Sequence, residues 1–216
     1  MVIKSEGVFS ISARQRTLLP PKNFLRPSTN VKRRRFVVLD RDGTIIEEVP
    51  YLSDPRQIAL IPGTGKALRE LSEMGFGLVV ITNQSAVGRR YFDEAQLARI
   101  HDRLLEMLRA EQITLDGLYF CPHTPQDQCL CRKPNTGLIE KASEDLEFDL
   151  RGSIVIGDKA SDIEMGCRVG ALTMLVRTGY GAQVAAEQKV EPDYIVDDLP
   201  AAVQVIDTIC RKVRHQ

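Results

Sequence analysis

The 216-residue sequence contains no apolar run approaching the ~20 residues that a bilayer-spanning helix needs, which predicts a soluble chain with no membrane partner. Cysteine is too sparse for a dense disulfide framework. The five thiols come with no secretory leader, and this points to a reducing compartment, the cytoplasm. Formal net charge is zero, so neither sign is in overall excess. That balance hides an asymmetry. Residues 1–35 hold nine Lys or Arg against the single acid Glu6, which leaves −8 on the remainder. An acidic body lacks the clustered cations that backbone phosphates require, and this argues against a nucleic-acid partner.

What is present divides into two parts. Residues 1–35 carry Pro20, Pro21 and Pro27 among scattered Ser and Thr without a sustained period, as expected of a disordered basic arm. Its "KRRR" at 32–35 reads as a targeting or nucleic-acid patch, or equally as a solvated charge run, and the arm has a weak likeness to a transit peptide. Residues 36–216 read as one domain. Short apolar runs at 36–40, 76–82, 115–120, 153–158, 171–176 and 193–196 alternate with helical patterns at 62–75, 93–112, 136–147, 160–169 and 198–213. Continuous apolar strands separated by helices predict a doubly wound, Rossmann-like parallel α/β sheet covered on both faces. Cys167 and Cys210, alone in helical patterns, are expected to be buried and inert.

Parallel sheets of this kind bind ligands at the carboxyl ends of their strands. The first strand ends in Asp40-Arg41-Asp42-Gly43-Thr44, two acids that can face one small ligand across a tight turn. A calcium loop is excluded, since Gly43 is fourth rather than sixth and Tyr51 stands where the bidentate Glu belongs. The second strand ends in Thr82-Asn83-Gln84-Ser85, donors suited to phosphate oxygens or to a helix cap. The fourth ends in Gly157-Asp158-Lys159, with Asp162 following. Together with Lys133 the set suits a magnesium ion and a phosphoryl group.

In order and spacing, "VVLDRDGT", "VVITNQS", "CRKP" and "IVIGDKASD" resemble the four signature motifs of the haloacid dehalogenase phosphatase superfamily over about residues 36–205. The "CPH…CLCRKP" loop is similar to that of its histidinol-phosphatase and heptose-bisphosphatase branch. The resemblance implies a phosphatase in which Asp40 is the nucleophile forming an aspartyl-phosphate and Asp42 the proton donor and acceptor. It implies Mg²⁺ held by the side chains of Asp40 and Asp158 and the carbonyl of Asp42, with Thr82 and Lys133 on the non-bridging oxygens. Lys159 would orient Asp40 or touch phosphate, and Asp162 would order its loop. Arg41, Tyr51, Asn83, Gln84, Ser85 and Arg132 are implied to meet substrate. A short flap, Glu47 to Tyr51, leaves no room for a separate cap domain.

Cys121, His123, Cys129 and Cys131 form C-x-H-x₅-C-x-C, a Cys₃His set that matches a closed, structural Zn²⁺ site. Such a metal stiffens the loop that carries Lys133. The implied substrate is a small phosphorylated sugar, a heptose 1,7-bisphosphate cleaved at the 7-phosphate, with histidinol phosphate as the alternative. Arg89, Arg90 and Arg132 favour a second anion. Glu47 and Glu48 cut the other way, towards an amine, unless they hold sugar hydroxyls. A non-enzymatic zinc and phosphate-binding module would not need both acids of the first motif. A nucleic-acid end phosphatase is opposed by the acidic body. The expected state is a monomer.

Overall fold

The computed structural model describes residues 34–214. The arm, apart from its last two residues, lies outside the described residues. Arg34 and Arg35 belong to the body instead. Arg34 donates to the carbonyl of Phe76 and pairs with Asp116, and Arg35 lies over the Phe76 ring at 4.8 Å. Arginine stems cover apolar surface while their heads stay polar, so a basic run can be part of a fold.

Six strands form one parallel sheet: β1 (Phe36–Leu39), β2 (Gly77–Asn83), β3 (Gly117–Cys121), β4 (Ile154–Gly157), β5 (Leu172–Val176) and β6 (Tyr194–Val196). Their order is β3-β2-β1-β4-β5-β6, as expected for a doubly wound fold. Strand β1 explains the layering. Val37 and Leu39 point into one core with Leu78, Val80, Ile154 and Ile156, while Phe36 and Val38 point into the other with Val79 and Val155. Period-two alternation with both faces apolar forces helices onto both sides. The first core is covered by α1 (Thr64–Glu73), α3 (Glu94–Ala110) and α7 (Leu199–Arg214), and the second by α4 (Gly137–Asp145) and α5 (Ala160–Val169). Burying each of these branched side chains contributes about 1.5–3 kcal/mol.

Helix α3 shows how the local sequence specifies an element. Asp93 caps it by accepting from the Gln96 N–H at 2.8 Å, and Leu97, Ile100, Leu104 and Leu108 form its buried stripe. Two short helices escape the periodicity: α2 (Ser85–Gly88) and α6 (Gly181–Glu187). Neither offers enough turns for a 3.6-residue repeat to register. Cys210 is buried as expected, but Cys167 is exposed, because it falls on the outer side of α5. The flap at Glu47 to Tyr51 stays short, and the chain beyond it returns to the body where Ile46 bridges Leu60, so no cap domain interrupts the described residues. No helix among them is long and apolar enough to cross a membrane.

Candidate active site

The sheet order reverses at β1, and the parallel register Leu39↔Ile156 brings the tips of β1 and β4 side by side. The Asp40 N–H donates to the Ile156 carbonyl at 3.0 Å, which continues the ladder by one residue. Asp40 and Asp158 therefore face one crevice, both buried. The chain turns away at Gly43, φ +81°, where a Cβ would stand 2.2 Å from Asp158 Oδ2. Only glycine combines this left-handed backbone with so close an approach. From the other side the loop after β5 closes in, and the Tyr180 N–H donates to Asp158 Oδ2 at 2.9 Å.

Lys133 reaches the same crevice from the third motif. Its Nζ donates to Asp40 Oδ1 at 2.8 Å and to the Ile81 carbonyl at 2.7 Å, and it pairs with Asp162 Oδ1 at 2.6 Å. Burial alone would raise the Asp40 pKa, but the charges of Lys133 and Lys159 outweigh it and hold the carboxyl below its ordinary range. The nucleophile position is thus ionised. Asp158 goes the other way. Burial, then the neighbouring charge of Asp40, push it up to about 8. Lys159 Nζ stands 3.4 Å from Asp158 Oδ1, 3.7 Å from Asp40 Oδ2 and 2.8 Å from Glu48 Oε2, and donates to the Asp42 carbonyl at 3.3 Å.

Asp42 is gripped differently. Arg41 donates to both its oxygens, at 3.1 and 2.9 Å, and Gln84 Nε2 donates to Asp42 Oδ2 at 2.8 Å and to Thr82 Oγ1 at 2.9 Å. Both of these ties involve residues expected at the substrate. Arg41 is 1% exposed and gives Nε and Nη2 to its own neighbour, while its buried Nη1 has no hydrogen-bond partner among the described residues. Gln84, expected there too, is buried and ties the second motif to the first. Asn83 joins the second motif to the third: its amide donates to the Lys133 carbonyl and accepts the Lys133 N–H, both at 3.1 Å. Ser85 opens α2 half-buried, Arg132 donates to the His123 carbonyl at 3.2 Å, and Tyr51 is exposed on the flap. Arg89 and Arg90 are exposed, and neither pairs with a carboxylate among the described residues. The Glu48 tie to Lys159 and the Asp162 tie to Lys133 had no sequence signal beyond the presence of acids.

The residues fit both implied metals. Carboxylate oxygens of Asp40, Asp158 and Asp162 lie within 4.8 Å of one another, and buried Asp158 Oδ1 accepts no hydrogen bond. Two buried carboxylates facing each other call for a cation. Asp162 is the least free of the three, since it also accepts the Lys159 N–H at 3.0 Å. In the zinc loop, Cys121 Sγ lies 3.2 Å from Cys131 Sγ and 3.6 Å from Cys129 Sγ, and His123 Nδ1 lies 3.2 Å from Cys131 Sγ. A zinc tetrahedron with S ligands has edges of about 3.8 Å, so the four donors need only slight expansion. Burial opposes ionisation of Cys129, but hydrogen bonds from Cys131 and Cys121 bring its thiol to about 7.

The HAD-hydrolase-like family model matches residues 130–202. The D-glycero-D-manno-heptose-1,7-bisphosphate 7-phosphatase of Thermosynechococcus vestitus is 37% identical over 189 residues, 81% of this chain and 96% of that one. The D-glycero-beta-D-manno-heptose-1,7-bisphosphate 7-phosphatase of Haemophilus influenzae is 38% identical over 77% of this chain and 95% of its own. The D,D-heptose 1,7-bisphosphate phosphatase of B. bronchiseptica, solved with magnesium and phosphate, superposes with a TM-score of 0.76 at 30% identity, covering 81% of this chain and 98% of that one.

Proposed function

We propose a heptose-bisphosphatase activity for this chain, which belongs to the haloacid dehalogenase-like hydrolases and is a phosphoric monoester hydrolase. The reading is that it removes the 7-phosphate of a D-glycero-D-manno-heptose 1,7-bisphosphate. The observation that carries it is the crevice itself, where an ionised Asp40 is flanked by Lys133 and Lys159 beside an Asp42 held by Arg41. In this reading an Asp40 oxygen attacks phosphorus and the bond from phosphorus to the sugar oxygen breaks. Asp42 gives its proton to that oxygen. Asp42 then takes a proton from water as the water attacks phosphorus, which releases phosphate and frees Asp40. Thr82 and Lys133 hold the non-bridging oxygens, where charge spreads during transfer.

Magnesium on Asp40, Asp158 and the Asp42 carbonyl would offset the charge between Asp40 and an incoming phosphate. Zinc on Cys121, His123, Cys129 and Cys131 would brace the loop that ends in Lys133. Support for magnesium comes from the B. bronchiseptica enzyme solved with it, and for zinc from the four convergent donors.

Arg89, Arg90 and Arg132 support a second phosphate over the ammonium of histidinol phosphate, which they would repel. The test is the ratio of kcat/KM for heptose 1,7-bisphosphate and histidinol phosphate, with Asp40→Asn as the inactive control. A preference for the bisphosphate that shrinks in Arg132→Ala is expected. Preference for histidinol phosphate would overturn the substrate and leave the chemistry standing.

A further inference from the structure

Among the described residues five large apolar side chains are exposed: Tyr51, Tyr91, Leu130, Tyr180 and Ile195. Four of them sit on loops that follow strand carboxyl ends. Tyr51 is on the flap after β1, Tyr91 on the loop after α2, Leu130 in the zinc loop and Tyr180 after β5. Scattered single exposures mean little, but exposed rings held against each other make a contiguous apolar surface. Two of the four touch. The rings of Tyr51 and Tyr91 meet edge to face, with centroids 4.8 Å apart and planes at 86°.

The backbone presents both rings at a cost. Tyr51 adopts φ +52°, and Arg90, immediately before Tyr91, adopts φ +59°. Left-handed backbone is unfavourable for such side chains and persists where the surroundings enforce it, often at ligand sites. Each loop is also rooted at the reacting centre. Glu48, on the flap, accepts from Lys159, and Gln84, at the start of α2, donates to Asp42. The Arg89 guanidinium lies 6.0 Å from the Tyr51 ring centroid and adds a cation to the same edge.

We propose that Tyr91, set against Tyr51 where the loops after β1 and β2 meet, forms an aromatic wall that stacks on the ring of the phosphorylated sugar. Tyr91 is thereby a specificity-determining residue. This rests on the sugar-phosphatase reading above. The motif side chains recognise phosphate, and nothing in them separates a ring from an open chain. The carbon face of a pyranose presents several C–H groups in one plane, which match the electron-rich face of an aromatic ring. An acyclic polyol has no such face to offer. An edge-to-face pair leaves at least one ring face open for it.

The test uses full-length protein and a matched pair, glucose 6-phosphate and sorbitol 6-phosphate, alongside heptose 1,7-bisphosphate. Tyr91→Ala should raise KM for both ring substrates about 3–10-fold, the worth of one aromatic contact, with kcat nearly unchanged. The sorbitol 6-phosphate constants should not move, and Tyr91→Phe should restore the ring substrates. Equal losses on ring and open-chain phosphates, or an unchanged KM for the rings, would overturn the wall. Wild-type protein inactive on the heptose bisphosphate would sink the substrate reading while the glucose and sorbitol pair still judged Tyr91. The chain has no tryptophan, so tyrosine fluorescence of Asp40→Asn protein titrated with glucose 6-phosphate reports the contact without turnover. Quenching that survives Tyr91→Ala undiminished counts against the proposal.

Discussion

The Lys133 ammonium lies 2.8 Å from Asp40 Oδ1, although 93 positions separate the two residues, and both are almost entirely buried. Burial alone would depress the lysine pKa, but Asp162 and Asp40 raise it instead. Removing this cation should therefore damage both chemistry and fold. Lys133→Met leaves two carboxylates buried without their partner, and unfolding free energy should fall by ~3–5 kcal/mol. Turnover should fall at least ~100-fold, since a donor on the transferring phosphoryl group is lost. A denaturant melt and steady-state kinetics on one preparation check both. Full stability in the variant would show the pair to be uncoupled from the fold.

Arg41 holds Asp42 through two hydrogen bonds, a grip that a lysine ammonium cannot copy. Arg41→Lys should lower kcat ~10–100-fold with little change in KM, because Asp42 loses its orientation while substrate contacts remain. A raised KM with normal kcat would return Arg41 to the substrate.

The zinc donors are tied to the catalytic loop. Asn135 donates to the Cys129 carbonyl, and Arg132 to that of His123. Protein purified without added metal should contain about one zinc per chain, lost in Cys129→Ser with a lower melting temperature. Metal-free wild-type protein of unchanged stability and activity would refute this.

His101 makes a pH-dependent prediction away from the metals. It is buried on α3 against Phe120, and burial, then the charge of Arg41, lower its pKa from 6.5 to about 3. The unfolded chain therefore takes up a proton below pH 6.5 that the folded chain refuses until about pH 3. Its stability contribution is complete above the unfolded pKa and is lost as pH falls through that window. At pH 5 this should cost about 2 kcal/mol relative to pH 7. Urea melts of wild type and His101→Phe should diverge in pH slope by that amount, and parallel slopes would refute the assignment.

Much of the molecule was legible in the chain. Strand and helix alternation determined the doubly wound fold because a sheet buried on both faces must be apolar at every position, as β1 is. Adjacent motifs determined which groups stand at each strand tip. The four-ligand spacing picked out Cys121, His123, Cys129 and Cys131, which the structure brings together. Short-range chemistry of this kind is written in local order.

The tertiary structure decided the rest, since it sets which tips meet and how much water remains. Only the β1–β4 register brings Asp158 against Asp40; burial pushes both carboxyls up, and the charges of Lys133 and Lys159 pull Asp40 back below its ordinary range. The sequence equally allowed Arg41 to face the substrate or its neighbour. The fold buries the guanidinium and sets Nε and Nη2 on Asp42, leaving Nη1 without a partner among the described residues. Tyr91 belongs to no motif. It became legible when the fold set two loops, from two strand ends, against each other.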